Sequence, residues 1–313
     1  MNTTSSFTGA PNWESKCAMR TYEFPAHQID DEPGHYFAPH LISSMAYLTE
    51  DERARIRSSD LEKQALLRYL ANTESIEIDL VNPSLLFIME GNFEQSIHLE
   101  AYRIYADEGF HAAMCVSLRE SIGRTAVGHP NSCRYRSQPL AMLLQQIRSD
   151  CTRTQQLRVF FASAINETLI TQSLLQAKDP SLKPSIRTLI STHAMDEAQH
   201  HKFFAHLFAV VWEQMSQNER QDVASLLPVM LKLLLAPDEQ AIEEDLIGVG
   251  VDADRAEAIA RLVGSETPLL ERIQHGARGS LHAMSRSGMF ACEFVRNAFG
   301  QHQLDQLIGD RIK

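Results

Sequence analysis

Apolar residues recur along this chain at steps of three and four, not at every second position. That is the period of helices with one buried face. A Thr49–Glu52 capping box opens a short helix through Arg57, and Ser59 or Asp60 then caps a long one. Leu66, Leu67, Leu70, Ile78, Val81, Leu85 and Ile88 mark its inner face, and Pro83 is expected to interrupt and kink it. Gly91-Asn92 breaks the chain before a second helix, Phe93 to Ile122, with Ile97, Ala101 and Ile104 inward. After a polar connection over 123–138, a third helix runs from about Pro139 to Ala177. Phe160, Ser163, Thr171 and Leu174 share its inner face. A turn ending at Pro184 leads into a fourth helix reaching about Ser216. The remainder reads as shorter helices broken at Ala236-Pro237, Gly248-Val-Gly250 and Gly264-Ser265. Its apolar patch of Leu226, Leu227, Met230, Leu233 and Leu234 either caps the bundle or pairs with another subunit. Residues 1–40 lack periodicity and read as an irregular arm, with His35-Tyr36-Phe37 and His40 either contributing to a pocket or, the preferred reading, in a loop packed on the surface. The expectation is an all-α chain. It has an arm (1–40), one domain (41–313) with a core of about 60–215, and accessory helices over 217–313.

Several polar residues interrupt the apolar stripes. His193, Glu197 and His200 stand at i, i+4 and i+7, within one narrow sector of a helix. Burying two imidazoles and a carboxylate there is costly unless something pairs with them, and a transition metal would pair with all three. The pattern repeats. Asp107-Glu108-Gly-Phe-His111 matches Asp196-Glu197-Ala-Gln-His200, and each copy has a Glu on the preceding helix. Glu167 lies 30 residues before Glu197, whereas Glu77 lies 31 and Glu74 lies 34 before Glu108. A Glu on one helix and Glu-x-x-His on the next, used twice, is the ligand plan of four-helix di-iron carboxylate proteins. The fold expected is therefore a ferritin-like or ribonucleotide-reductase-like helical bundle with a di-metal site in its core. Glu77 (or Glu74), Glu108, His111, Glu167, His193, Glu197 and His200 are the candidate metal ligands. Asp107 and Asp196, each beside a ligand Glu, are placed to accept the N–H of a ligand His from the other half. Tyr105, one turn before Glu108, either turns its hydroxyl to the site or is buried and bonded elsewhere. With Phe160, Ser163 and Thr171 it makes up the candidate substrate pocket.

Composition narrows the function. A net charge of −11 argues against nucleic acid as a partner, since an acidic surface gains nothing from counterion release. The five cysteines, Cys17, Cys115, Cys133, Cys151 and Cys292, show no C-x-x-C pair and fit a reducing cytoplasm. The polar N-terminus does not read as a signal peptide, and the longest apolar run is too short to span a bilayer.

With its third histidine, the chain resembles the p-aminobenzoate N-oxygenase type of non-haem di-iron oxygenases. Their pattern is Glu, Asp-Glu-x-x-His, Glu, then His-x-x-x-Glu-x-x-His, and the resemblance covers about residues 60–215. That family's longer first separation points to Glu74. The near-equal repeat separations and the run Thr73-x-x-Ile-Glu77 point to Glu77, which is the reading adopted. The resemblance implies a helical bundle, commonly a homodimer, with two iron ions, O2 as co-substrate and an external electron donor or redox partner. It implies oxidation of a small primary amine towards hydroxylamine, nitroso or nitro in specialised metabolism. The bound oxygen is expected as a peroxo-diferric species. Two other readings keep the same residues: a di-iron C–H hydroxylase or desaturase, and a non-enzymatic iron-binding protein.

Overall fold

The structure, a computed structural model, describes residues 13–25, 29–122 and 135–309, and among these every regular element is helical. No strand forms among the described residues, and the one β-bridge joins His35 to Leu182. The all-α helical bundle expected from the periodicity is what the chain adopts.

The described part of the N-terminal arm, 13–25 and 29–40, is more ordered than its composition suggests. It contains single helical turns α1 (Trp13–Lys16) and α2 (Ala18–Thr21), then 3-10 turns between Ile29 and Tyr47. His35 Nδ1 lies 2.9 Å from buried Glu62, and Phe37 stacks on Tyr69 at 5.9 Å, so this loop is tied down on the bundle. Helix α3 (Glu50–Arg55) starts in the expected capping box, Thr49 Oγ1 accepting from the Glu52 amide at 3.2 Å. It stops two residues before Arg57.

Four long helical runs make the core. The first begins at Ser58, without a side-chain cap from Arg57, as α4 (Ser58–Ile76). It does not break at Pro83 but passes through a π-helical segment (Glu77–Val81) into α5 (Asn82–Glu90). The Asn82 amide bonds back to the Glu77 carbonyl, five residues earlier, which is the π pattern. Pro83 then falls in the first turn of α5, where its missing N–H is least disruptive. The second run is α6 (Gln95–Ser121), starting two residues later than the Gly-Asn break suggests. The expected third helix is two. Helix α7 (Gln138–Gln146) and α8 (Thr152–Ala177) are separated where Gln155 Oε1 accepts from the Ser149 amide at 3.2 Å and Ser149 Oγ from the Cys151 amide at 3.2 Å. Such local bonds compete with the helical ladder. The fourth run, α9 (Pro184–Gln214), packs chiefly on α8.

Around this core lie α10 (Gln217–Leu235), α11 (Glu239–Gly248), α12 (Ala253–Gly264), α13 (Glu266–Gly276), α14 (Arg278–Arg286) and α15 (Glu293–Gln301). The three predicted breaks between them all occur. Helix α10 seals one side of the bundle: Leu227 and Met230 are buried in the main core, and Leu226, Leu233 and Leu234 pack half-buried against it. Phe160, Phe161, Phe203, Phe204 and Phe208 fill its centre, each contributing about 1.5–3 kcal/mol by burial. Helix α14 lies behind α8 and α9, where Gly279 lets it approach. A Cβ at 279 would sit 3.0 Å from the Thr168 carbonyl oxygen and 3.3 Å from the His201 ring.

Candidate metal centre

Each run delivers its polar residues to the same buried space. Helix α6 supplies Glu108 and His111, α8 supplies Glu167, α9 supplies His193, Glu197 and His200, and the π segment supplies Glu77. All seven are buried to 1 % exposure or less. Three overlapping groups of these residues hold ligand-capable atoms within 4.8 Å of one another: Glu77, His111, His193 and Glu197; Glu108, His111, Glu197 and His200; and Glu77, Glu108 and Glu167.

The structure separates the two first-run candidates. Glu77 is in this cluster, with Oε1 3.8 Å from His193 Nε2. Glu74, three residues earlier, is ion-paired with Arg119.

The histidines do not present the same nitrogen. His111 turns Nδ1 to Glu108 (3.1 Å) and Glu197 (3.4 Å), and His200 turns Nδ1 to Glu108 (2.9 Å) and Glu197 (3.5 Å). Their outer nitrogens reach aspartates from the opposite half. His111 Nε2 lies 3.1 Å from Asp196 and His200 Nε2 lies 3.3 Å from Asp107. With a metal ion on Nδ1, this crossed arrangement would keep the remaining ring proton on Nε2, donated to the aspartate. His193 instead presents Nε2, 2.9 Å from Glu197 Oε1. Its Nδ1 is buried and has no hydrogen-bond partner among the described residues.

Protons alone distribute unevenly over the cluster. Burial, then repulsion from Glu108, pushes the Glu77 carboxyl well above its ordinary range. Burial and Glu197 do the same to Glu167. Glu108 and Glu197 are also penalised by burial, but neighbouring His200 and His111 outweigh it; Glu197 is held well below normal and Glu108 at about 2. Burial opposes the charging of His111 and His200, yet Asp196 raises the first and Glu108 the second well above normal. His193, buried beside His111, is lowered.

Divalent cations fit this donor set. Among the described residues, neither Glu77 oxygen has a hydrogen-bond partner, nor do Glu108 Oε1 and His200 Nδ1. The last two lie 2.9 Å apart without aligning as a hydrogen bond. Carboxylates buried together with oxygens left unbonded are strongly unfavourable alone and suit a shared cation. Carboxylates able to bridge, combined with imidazoles, select iron, manganese or zinc.

The candidate pocket fares less well. Tyr105 is 39 % exposed and neither faces the cluster nor is buried elsewhere. At about 100° per residue it falls roughly 60° round from Glu108, just beyond the buried sector that Ala101 and Ala112 close. Phe160 is buried in the aromatic core, 6.0 Å from the Phe87 ring. Ser163 is buried one turn before Glu167 and accepts a 2.9 Å hydrogen bond from Ser84. The Thr171 side chain lies outside the described residues.

Two contacts had no sequence signal. The Trp13 indole N–H donates to Asp107 Oδ2 at 2.8 Å, and the Ala18 amide donates to Asp196 Oδ2 at 2.8 Å. A backbone donor carries no residue code, and a lone tryptophan in an aperiodic arm has no partner written beside it.

A family model described as p-aminobenzoate N-oxygenase AurF matches residues 18–283. Among curated proteins no sequence matches the chain.

Proposed function

Because the chain belongs to the p-aminobenzoate N-oxygenase AurF family, and is thus a di-iron oxygenase, we propose that it oxidises a small primary amine at nitrogen, using O2. What carries this reading is His193: a third imidazole joins the four carboxylates and two Glu-x-x-His histidines of the buried cluster. In the proposal Glu77, His111 and His193 would hold one iron and Glu167 and His200 the other, with Glu108 and Glu197 available to both. Such a pair of ions, when bound and reduced, supplies the electrons and the coordination positions that activate O2.

The protein's own part is positioning and exclusion. Asp107 and Asp196 orient His200 and His111 through their outer nitrogens, so that the inner nitrogens would be available to a metal ion. Four carboxylates offset the charge of two divalent ions, which makes the site tolerable inside an apolar core. On α9, Phe203 and Phe204 follow His200 within one turn and keep water from that side.

The resemblance supports three further parts of the proposal: an external electron donor, a homodimer and a place in specialised metabolism. Unpaired thiols at Cys17, Cys115, Cys151 and Cys292 support a cytoplasmic setting. No described helix is long and apolar enough to cross a membrane.

The test is product analysis. Full-length protein is loaded with Fe(II) without oxygen, then given O2 and, separately, a panel of arylamines and amino acids or of hydrocarbon and fatty-acyl compounds. Hydroxylamine or nitroso products by mass spectrometry are expected. Oxygen inserted only at C–H bonds would overturn the amine assignment while leaving the di-metal reading in place.

A further inference from the structure

The two aspartates behind the histidines are themselves held, and both holders lie within six residues of the N-terminal arm. Asp107 Oδ2 accepts from His200 Nε2 at 3.3 Å and from Trp13 Nε1 at 2.8 Å. Asp196 Oδ2 accepts from His111 Nε2 at 3.1 Å and from the Ala18 amide at 2.8 Å. In each case one carboxylate oxygen takes both bonds, so the direction of the histidine and the position of the arm are set by the same atom. The arm has its own anchor. The Arg103 guanidinium lies over the Trp13 ring at 5.6 Å and pairs with Glu14 at 2.7 Å. Helix α2 packs on both α6 and α9, the two helices that carry the aspartates.

We propose that Trp13 and the Ala18 amide are positioning groups of the metal centre, each governing one ion through one aspartate–histidine pair. The proposal rests on the ligand assignment above. An aspartate without its second donor can rotate about its side-chain torsions, and the histidine it directs loses its fixed angle. The arm thus contributes no ligand, yet it sets how firmly both ions are kept.

The experiment is metal release from the full-length protein loaded anaerobically with Fe(II), followed optically as a ferrous chelator captures the ion. Trp13→Phe keeps the ring and removes the donor. Ala18→Pro removes one N–H at the first position of a helix, where proline is well accommodated; the extended backbone of Cys17 (φ −64°, ψ 157°) suits a following proline. Lys16→Gln alters an exposed residue of the same arm without touching either aspartate or the Arg103 anchor and serves as control. We expect Trp13→Phe to release one equivalent about tenfold faster, at the lower end for loss of a ligand's outer partner. Ala18→Pro should speed the other equivalent similarly, and the control neither. The metal-free variants should melt within a few degrees of the parent. Unchanged release in both variants overturns the proposal. So does a lowered melting temperature with both equivalents lost together, which marks a packing role only. If the parent chain itself takes up fewer than two ions, the ligand assignment fails, and this inference falls with it.

Discussion

Glu74 and Glu77 stand three residues apart on one continuous helical run, yet they serve different partners. Glu74 pairs with Arg119, and Glu77 is fully buried facing His193. Glu77→Ala should therefore lower the iron bound per chain after anaerobic loading. Glu74→Ala should leave it unchanged and cost about 1–3 kcal/mol of stability, because the mostly buried Arg119 loses its partner. Iron-to-protein ratios and thermal melts of the two variants check this; the opposite pattern would move the ligand to Glu74.

His193 belongs to the group containing Glu77, His111 and Glu197 but not to that containing Glu108, Glu197 and His200. Its loss should loosen one ion and spare the other. His193→Ala is expected to keep its helical circular dichroism and to titrate with one tight and one weak equivalent of Fe(II). Two tight equivalents would remove His193 from the ligand set.

Acid should reveal a contact far from this site. Glu52 accepts from Arg255 and caps α3 through Thr49, which together lower its carboxyl to about 2. A folded-state value below the unfolded one stabilises above about pH 4.5, and that part is lost as pH falls towards 2. Glu52→Gln keeps a capping side chain but not the charge. Its denaturant midpoint should trail the parent's most at neutral pH, and the gap should close on acidification. A gap constant from pH 6 to 2.5 would show that the charge contributes nothing.

Two glycines should respond oppositely to alanine. Gly279→Ala forces α14 away from the Thr168 carbonyl, and about 1–3 kcal/mol of destabilisation is expected. A Cβ on Gly300 meets nothing within 4 Å near the end of α15, so Gly300→Ala should gain up to about 1 kcal/mol. Thermal melting of both variants is the measurement, and Gly279→Ala melting at or above the parent would show that α14 can move back freely.

What could be read from the sequence follows from what repeats in it. The two Asp-Glu-x-x-His copies sit on regular helix, so their spacing translates directly into a shared face, and the structure brings those residues together. The choice between Glu74 and Glu77 was harder because the run changes pitch at Glu77. The split of the expected third helix at 147–151 depends on side-chain bonds from Ser149 and Gln155, which no periodicity encodes. Tyr105 was misplaced because one turn before a buried residue is not always buried when that residue lies near the sector's edge. The arm eluded reading for a different reason: its contacts lie 94 and 178 residues away in sequence.

The π turn at 77–81 can also be viewed as an insertion in the gene. One extra residue in a helix rotates everything after it by roughly 100° relative to an unbroken α-helix. Deleting a single codon there would restore ordinary hydrogen bonding, and by propensity alone the result would be the better helix. It would also swing α5 round, carrying Ser84 away from Ser163 and Leu85 and Ile88 off the main core. Surface loops absorb such edits, but here a one-residue deletion falls inside a helix that both feeds the metal cluster and seals the hydrophobic interior. Length variants at this segment should therefore be far rarer among functional chains than substitutions at the same positions.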